Sequence, residues 1–137
     1  HLNKFVDDLK NLRNKNITLP VSGPFHCELM NKATIKMESE IKKLEFNISE
    51  NILISNVTAN EMKNPEEIKK LLIKQIESRV RWRESIIYMI KKGVNHFIEI
   101  GPGKVLSGLI KRIDKTVIVD AINSEEDINN IKKNDKF

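Results

Sequence analysis

The chain has 137 residues, with 39% hydrophobic and 31% charged side chains, a balance that suits about one folded domain and is ordinary for a soluble globular protein. No apolar run approaches the roughly 20 residues that span a bilayer, and a single cysteine excludes an internal disulfide and fits a reducing compartment. The net charge of +5 comes from lysines interleaved with glutamates, and with only 5% aromatic residues to stack on bases, nucleic acid is a poor candidate partner.

Leu2, Phe5, Val6, Leu9 and Leu12 recur at helical spacing, which predicts an amphipathic opening helix with no signal-peptide layout. Ile17 to Val21 reads as a short extended segment ending at Pro20-Val21. Gly23-Pro24-Phe25-His26-Cys27 then forms a tight turn, followed by a long helix with the stripe Met30, Ala33, Met37, Ile41 and Leu44. Ile52-Leu53-Ile54 predicts a second strand, ended by Ser55-Asn56. Asn64-Pro65-Glu66-Glu67 is a helix start, with a capping amide, proline in the first turn and acids at the positive end of the dipole. That helix is expected to run to about Ser78 with Ile68, Leu71, Leu72 and Ile76 on one face.

Trp82, Ile86, Met89 and Ile90 lie on the next helix, which stops at Gly93 in the left-handed C′ position with Val94 folding back on Met89. His96 to Ile100 is a compact strand, Gly101-Pro102-Gly103 a turn, and Val105 to Ile113 a helix. Thr116 to Val119 reads as the last strand, and Ser124-Glu125-Glu126-Asp127 as a capping box for a terminal helix with a polar tail from Lys132 to Phe137. Alternating strands and helices predict an α/β class with parallel strands.

Several residues carry candidate chemistry. His26 sits between a strand and a helix, where open α/β sheets place their sites, so it reads as a general base or as a structural histidine. No Gly-x-Ser-x-Gly elbow supplies the nucleophile that such a base would serve. Cys27 is a poor substitute, because adjacent side chains point apart. Gln75 is either an amphipathic border position or a donor of a free last-turn carbonyl that orients an imidazole. Gly101-Pro102-Gly103-Lys104 reads as a structural turn or as a phosphate cradle, and Asn56 as a strand terminator or as a brace for a site. The three histidines, His1, His26 and His96, are too far apart in sequence to suggest a zinc site. Lys42, Lys43, Lys91, Lys92, Lys111 and Arg112 form either a solvated surface or a face for an acidic partner.

Taken in order, four segments resemble the malonyl-CoA:acyl carrier protein transacylase family, the acyltransferases of fatty acid synthesis. They are Leu19-Pro20-Val21-Ser22-Gly23-Pro24-Phe25-His26-Cys27-Glu28-Leu29-Met30, Asn56-Val57-Thr58-Ala59, Gln75 through Trp82, and Glu99-Ile100-Gly101-Pro102-Gly103-Lys104-Val105-Leu106. The resemblance runs from about Leu2 to Asn123. Cys27 and Glu28 stand where the family commonly has serine and proline.

The resemblance implies an α/β-hydrolase-like acyltransferase fold, incomplete here. Residues 1–22 match the end of a small ferredoxin-like subdomain and its return strand, and residues 23–137 the C-terminal part of the large subdomain. It implies that a serine takes malonyl from malonyl-CoA and passes it to the phosphopantetheine thiol of acyl carrier protein, with no cofactor and no metal. It matches His26 to the base and Gln75 to the residue whose main-chain carbonyl orients it. Phe25 and Asn56 fall beside the substrate, and Lys91, Lys92, Lys111 and Arg112 are the candidate docking residues for the carrier protein. The serine elbow, oxyanion loop and carboxylate-binding arginine belong to an N-terminal portion of the same enzyme, so this segment alone is expected to be inactive. The alternatives are an acyltransferase domain of a polyketide synthase and a non-catalytic module that binds acyl carrier protein. The expected setting is soluble, either a bacterial-type cytoplasm or a plastid-type organelle such as an apicoplast.

Overall fold

A parallel pair of strands crossed by one helix forms the centre of the computed structural model, which describes residues 2–12 and 23–133. Helix α1 is Leu2–Asn11, a 3-10 turn covers Glu28–Met30, and α2 is Asn31–Ile41. Strands β1 (Leu53–Ile54) and β2 (Glu61–Met62) precede α3 (Pro65–Lys74) and α4 (Trp82–Lys91). Strand β3 (His96–Ile100), α5 (Val105–Ile113) and β4 (Ile118–Ile122) make a βαβ unit, closed by α6 (Glu125–Lys133). The segment Ile17 to Val21, the first half of the histidine motif and the polar tail from residue 134 lie outside the described residues, and so does the expected domain boundary at residue 22.

The core forms where α4 and α5 cover one face of the β3–β4 pair. Ile86 is fully buried there with Phe97, Ile110 and Val117, and Trp82, Met89, Ile90, Ile113 and Val119 pack around them. Local signals set the element ends. Gly93 has φ of 95°, its N–H donates to the Ile90 carbonyl, and the Val94 N–H reaches back to Met89 at 3.1 Å, the Schellman closure that the sequence predicts. The Asn64 side chain accepts from the Glu67 N–H at 2.9 Å with Pro65 in the first turn. Ser124 and Asp127 cap each other's backbone N–H groups at the start of α6.

The structure corrects several boundaries. Helix α2 ends at Ile41 because the next residues close as tighter turns, Lys43 on Glu40 and Leu44 on Ile41, so Leu44 leaves the stripe. Helix α3 ends at Lys74, four residues before Ser78, where the Ile76 N–H bonds to Ile73. The last strand starts at Ile118, not Thr116, because the Asp114 carboxylate holds both the N–H and the hydroxyl of Thr116 in a local turn. Strands β1 and β2 form an antiparallel hairpin separate from the parallel pair. Two-residue strands leave no alternation for a sequence to show.

The register His96↔Ile118 to Ile100↔Ile122 puts Ile98 and Ile100 on one face and Phe97 on the other, towards the core. The bonds from Gly101 N–H to Ile122 and from Ile118 N–H to Asn95 turn the odd-numbered backbone groups of β3 towards β4. Those of Ile98 and Ile100 therefore face the opposite edge, where no further strand pairs among the described residues. Ile100 is 80% exposed. Parallel sheets are normally wider and buried on both faces, and among the described residues this two-stranded pair is neither.

Candidate active site

The sequence Gly23-Pro24-Phe25-His26-Cys27 makes a turn with His26 at φ of 61°, in the left-handed region that a side chain with Cβ enters only at a cost. The Cys27 thiol donates to the Pro24 carbonyl at 3.1 Å, and the Met30 N–H bonds to Cys27 at 3.0 Å, which starts the 3-10 turn. Cys27 is thus a small residue at a helix start, with its sulfur turned to the backbone. Across from the turn, Gln75 stands just past the last residue of α3 as its C-cap. Its N–H still donates to Leu71, but its carbonyl lies beyond the helical ladder and has no partner within it. The imidazole Nδ1 of His26 lies 2.9 Å from that carbonyl oxygen.

A carbonyl oxygen can only accept, so this contact requires the proton on Nδ1. The tautomer that results carries its lone pair on Nε2, facing away from Gln75 and free to take a proton. A carbonyl dipole at Nδ1 also stabilises the positive charge that the ring gains when it does so. A histidine and a main-chain carbonyl 49 residues apart in sequence are in this way brought into the geometry of a base and its orienter.

The other predicted residues are linked to this pair only through the chain and the backbone. Phe25 is 59% exposed, one residue before His26. Asn56 lies in a turn braced by the Ser55 hydroxyl, which accepts from the N–H groups of Val57 and Thr58. The Asn56 carbonyl accepts from the Arg81 N–H at 2.9 Å, so the Asn56 turn is tied to the stretch that follows Gln75. Among the described residues no hydrogen bond joins the Asn56 side chain to His26. Arg81 adds a longer contact from Nη1 to the Thr58 carbonyl at 3.4 Å, and Arg79 and Arg81 both reach Glu84. Sequence reasoning passed over this arginine pair because interleaved charges look alike on any solvated loop.

The four proposed docking cations are not equivalent. Lys91 and Arg112 are exposed at the ends of α4 and α5. Lys92 lies 3.5 Å from the Glu61 carboxylate and over the Tyr88 ring, and Lys111 donates to the Val117 carbonyl. The Tyr88 hydroxyl, 2.8 Å from Glu61, and then the Lys92 charge hold the Glu61 carboxyl below its ordinary range. Lys91 also borders an open depression of about 310 Å³ with Thr58, Asn60, Arg81, Glu84 and Tyr88.

The glycine loop forms a turn whose Gly101 and Gly103 N–H groups, and those of Leu106 and Ser107 behind it, already have partners, which speaks for a structural turn over a phosphate cradle. The Glu99 carboxylate at the end of β3 accepts from the N–H groups of Leu106 and Ser107 at 3.1 and 2.7 Å and from the Ser107 hydroxyl. These bonds, the Ser107 hydroxyl foremost, lower the Glu99 pKa. The Gly103 N–H meets Asn123. An acid at a strand end, a short glycine turn and a helix start are the sequence signal for such a self-capped loop. His96 Nε2 lies 2.9 Å from the Asp120 carboxylate and links β3 to β4. Among the described residues no three histidine, cysteine, aspartate or glutamate side chains converge on a metal position.

No family model matches the chain. The malonyl CoA-acyl carrier protein transacylase of Bacillus subtilis is 45% identical to it over 112 residues, which cover 82% of this chain and 35% of that protein. The crystal structure of malonyl CoA-acyl carrier protein transacylase from Clostridium perfringens matches with a TM-score of 0.86 at 36% identity, covering 97% of this chain and 42% of the other. A solved complex of a type II polyketide synthase acyl carrier protein with its malonyl-transacylase matches with a TM-score of 0.86 at 32% identity, covering 98% and 44%. The chain therefore spans between about a third and under half of the length of these relatives.

Proposed function

Over the segment that it spans, the chain belongs to the malonyl CoA-acyl carrier protein transacylase family, and we propose that it carries the general base of an enzyme that moves malonyl from malonyl-CoA to acyl carrier protein. The observation that carries this reading is the 2.9 Å contact between His26 Nδ1 and the Gln75 carbonyl. In the proposed cycle His26 Nε2 takes the proton of a serine hydroxyl as that oxygen attacks the malonyl thioester. The carbon–sulfur bond breaks, and the imidazolium returns its proton to the departing coenzyme A sulfur. The carrier's phosphopantetheine thiol then gives its proton to Nε2 and attacks the malonyl-serine, and the proton goes back to the serine oxygen. Phe25, next to the base, borders the acyl group, and Asn56 braces the same cleft.

The serine, the oxyanion donors and the carboxylate-binding group belong in this reading to a further portion of the same enzyme. The β3 edge left unpaired among the described residues and the exposed Ile100 support it, since they offer backbone pairing and apolar area to such a portion. Type II fatty acid synthesis is the main setting. A polyketide synthase setting is the second, favoured by the solved complex with a polyketide carrier. Among the described residues no helix is long and apolar enough to cross a membrane, and a bacterial-type cytoplasm or a plastid-type organelle remains the proposed location.

The test is direct transfer. The enzyme containing this segment, given malonyl-CoA and holo acyl carrier protein, is expected to yield malonyl-carrier by mass, while the 137-residue chain alone yields none. Turnover by the purified chain would reveal a nucleophile within it and overturn the division of labour.

A further inference from the structure

No residue from Gly23 to Met30, the histidine turn and the start of its helix, is buried. Phe25, His26 and Leu29 are exposed, and the 3-10 turn Glu28–Met30 contains no buried residue. His26 is itself in a left-handed conformation, which persists only where the surroundings hold it. The bond from Nδ1 to the Gln75 carbonyl fixes one distance, but a single hydrogen bond is a pivot about which the segment can still turn. A second link stands beside it. Nδ2 of Asn31, the first residue of α2, donates to Oε1 of Glu77 at 3.2 Å. Asn31 follows the base by five residues, and Glu77 follows Gln75 by two, in the tight turn after α3.

We infer that Asn31 and Glu77 are positioning residues whose side-chain hydrogen bond sets the register between the histidine turn and the Gln75 carbonyl. Two non-collinear bonds between the same pair of segments remove the rotation that one leaves, so the Nε2 lone pair keeps its aim. The far end of the Gln75 loop is already anchored, by Arg79 and Arg81 on Glu84 and by the Arg81 N–H on Asn56. The near end, which carries the carbonyl, is held to α3 by the N–H groups of Gln75, Ile76 and Ser78 on Leu71, Ile73 and Lys74, and Glu77 ties it across to α2. This inference rests on His26 being the base. It predicts an effect on turnover without one on substrate affinity, because neither Asn31 nor Glu77 is placed against the substrate.

The experiment uses the enzyme that contains this segment, with malonyl-CoA and holo acyl carrier protein, and follows the variants Glu77→Ala, Asn31→Asp, Asn31→Asp with Glu77→Gln, and His26→Ala. Loss of one positioning bond is expected to lower kcat about five- to tenfold with the KM for malonyl-CoA unchanged within about twofold. Asn31→Asp sets two carboxylates against each other and falls at least as far as Glu77→Ala. The double variant restores a pair with reversed polarity, glutamine donating to aspartate, and recovers most of the lost kcat. Parental kcat in Glu77→Ala, or a double variant no better than Asn31→Asp, would overturn the inference. If His26→Ala is inactive while Glu77→Ala is unchanged, only the positioning role fails. If His26→Ala keeps parental turnover, the base assignment fails and the positioning role with it.

Discussion

Replacing His26 and Gln75 one at a time by alanine separates a side-chain role from a main-chain role at a single contact. His26→Ala removes the ring that lies 2.9 Å from Gln75 and with it the lone pair at Nε2. A positioned general base contributes about 10²- to 10⁴-fold to a proton-transfer step, or about 3–5 kcal/mol of barrier, and that is the expected loss in kcat. Gln75→Ala leaves the bonded oxygen in place, since it belongs to the backbone. The Gln75 N–H bond to Leu71 at the end of α3 is also kept, and alanine is the strongest helix former, so the C-cap survives. The expected change in kcat is within about twofold, because no hydrogen bond at the ring is lost. Initial rates of malonyl-carrier formation, with circular dichroism to confirm folding, give both values. A Gln75→Ala loss as deep as that of His26→Ala in a folded protein would refute the carbonyl role.

Three further outcomes follow from the same geometry. Phe25→Ser should narrow a preference for malonyl over methylmalonyl, since one methyl in an apolar pocket is worth about 1–3 kcal/mol; equal kcat/KM for both thioesters in the parent enzyme would remove the idea. Reversing only Lys91 and Arg112 to glutamate should raise the KM for the carrier and spare that for malonyl-CoA. Lys92 and Lys111 are left out of that variant because they serve Glu61 and Val117, and a carrier KM insensitive to both reversal and salt would mark a merely solvated surface. The Glu99 pKa is depressed below the ordinary 4.5, so its cap on α5 stabilises the fold fully above that value and is lost as pH falls through the depressed one. Glu99→Gln should therefore flatten the acid limb of a Tm-against-pH curve, and superimposable acid limbs would contradict the capping role.

What the sequence made legible was punctuation. Asn64-Pro65, Gly93 and Ser124-Asp127 announce element ends through their own chemistry, and the structure honours each. Strand β3 and helix α5 were equally clear, because five apolar-rich residues, a glycine turn and a helical stripe leave few alternatives. Strand β2 was not, since Glu61-Met62 pairs with Leu53-Ile54 through backbone bonds that no side-chain pattern reports. The Asp114–Thr116 turn postponed β4 for a similar reason: a local side-chain bond outcompeted a β-branched run.

At the site, periodicity offered only a border position for Gln75, because a main-chain carbonyl has no side-chain signature. Its place at a helix end raised the carbonyl as an alternative, and the resemblance of the neighbouring motifs favoured it. The cap from Glu99 and the tethers on Lys92 and Lys111 were hidden in the same way, being choices among partners that a flexible charged side chain makes only in three dimensions.

The central claim is that His26 presents Nε2 as a base because the Gln75 carbonyl holds the proton on Nδ1. Nitrogen-15 NMR of the histidine rings in the enzyme containing this segment tests it most directly, recorded in alkaline solution where the ring is neutral. The account predicts that His26 carries its proton on Nδ1, with an unprotonated Nε2, and that Gln75→Ala leaves this unchanged. A His26 ring protonated at Nε2, or averaging between the two tautomers, would contradict it.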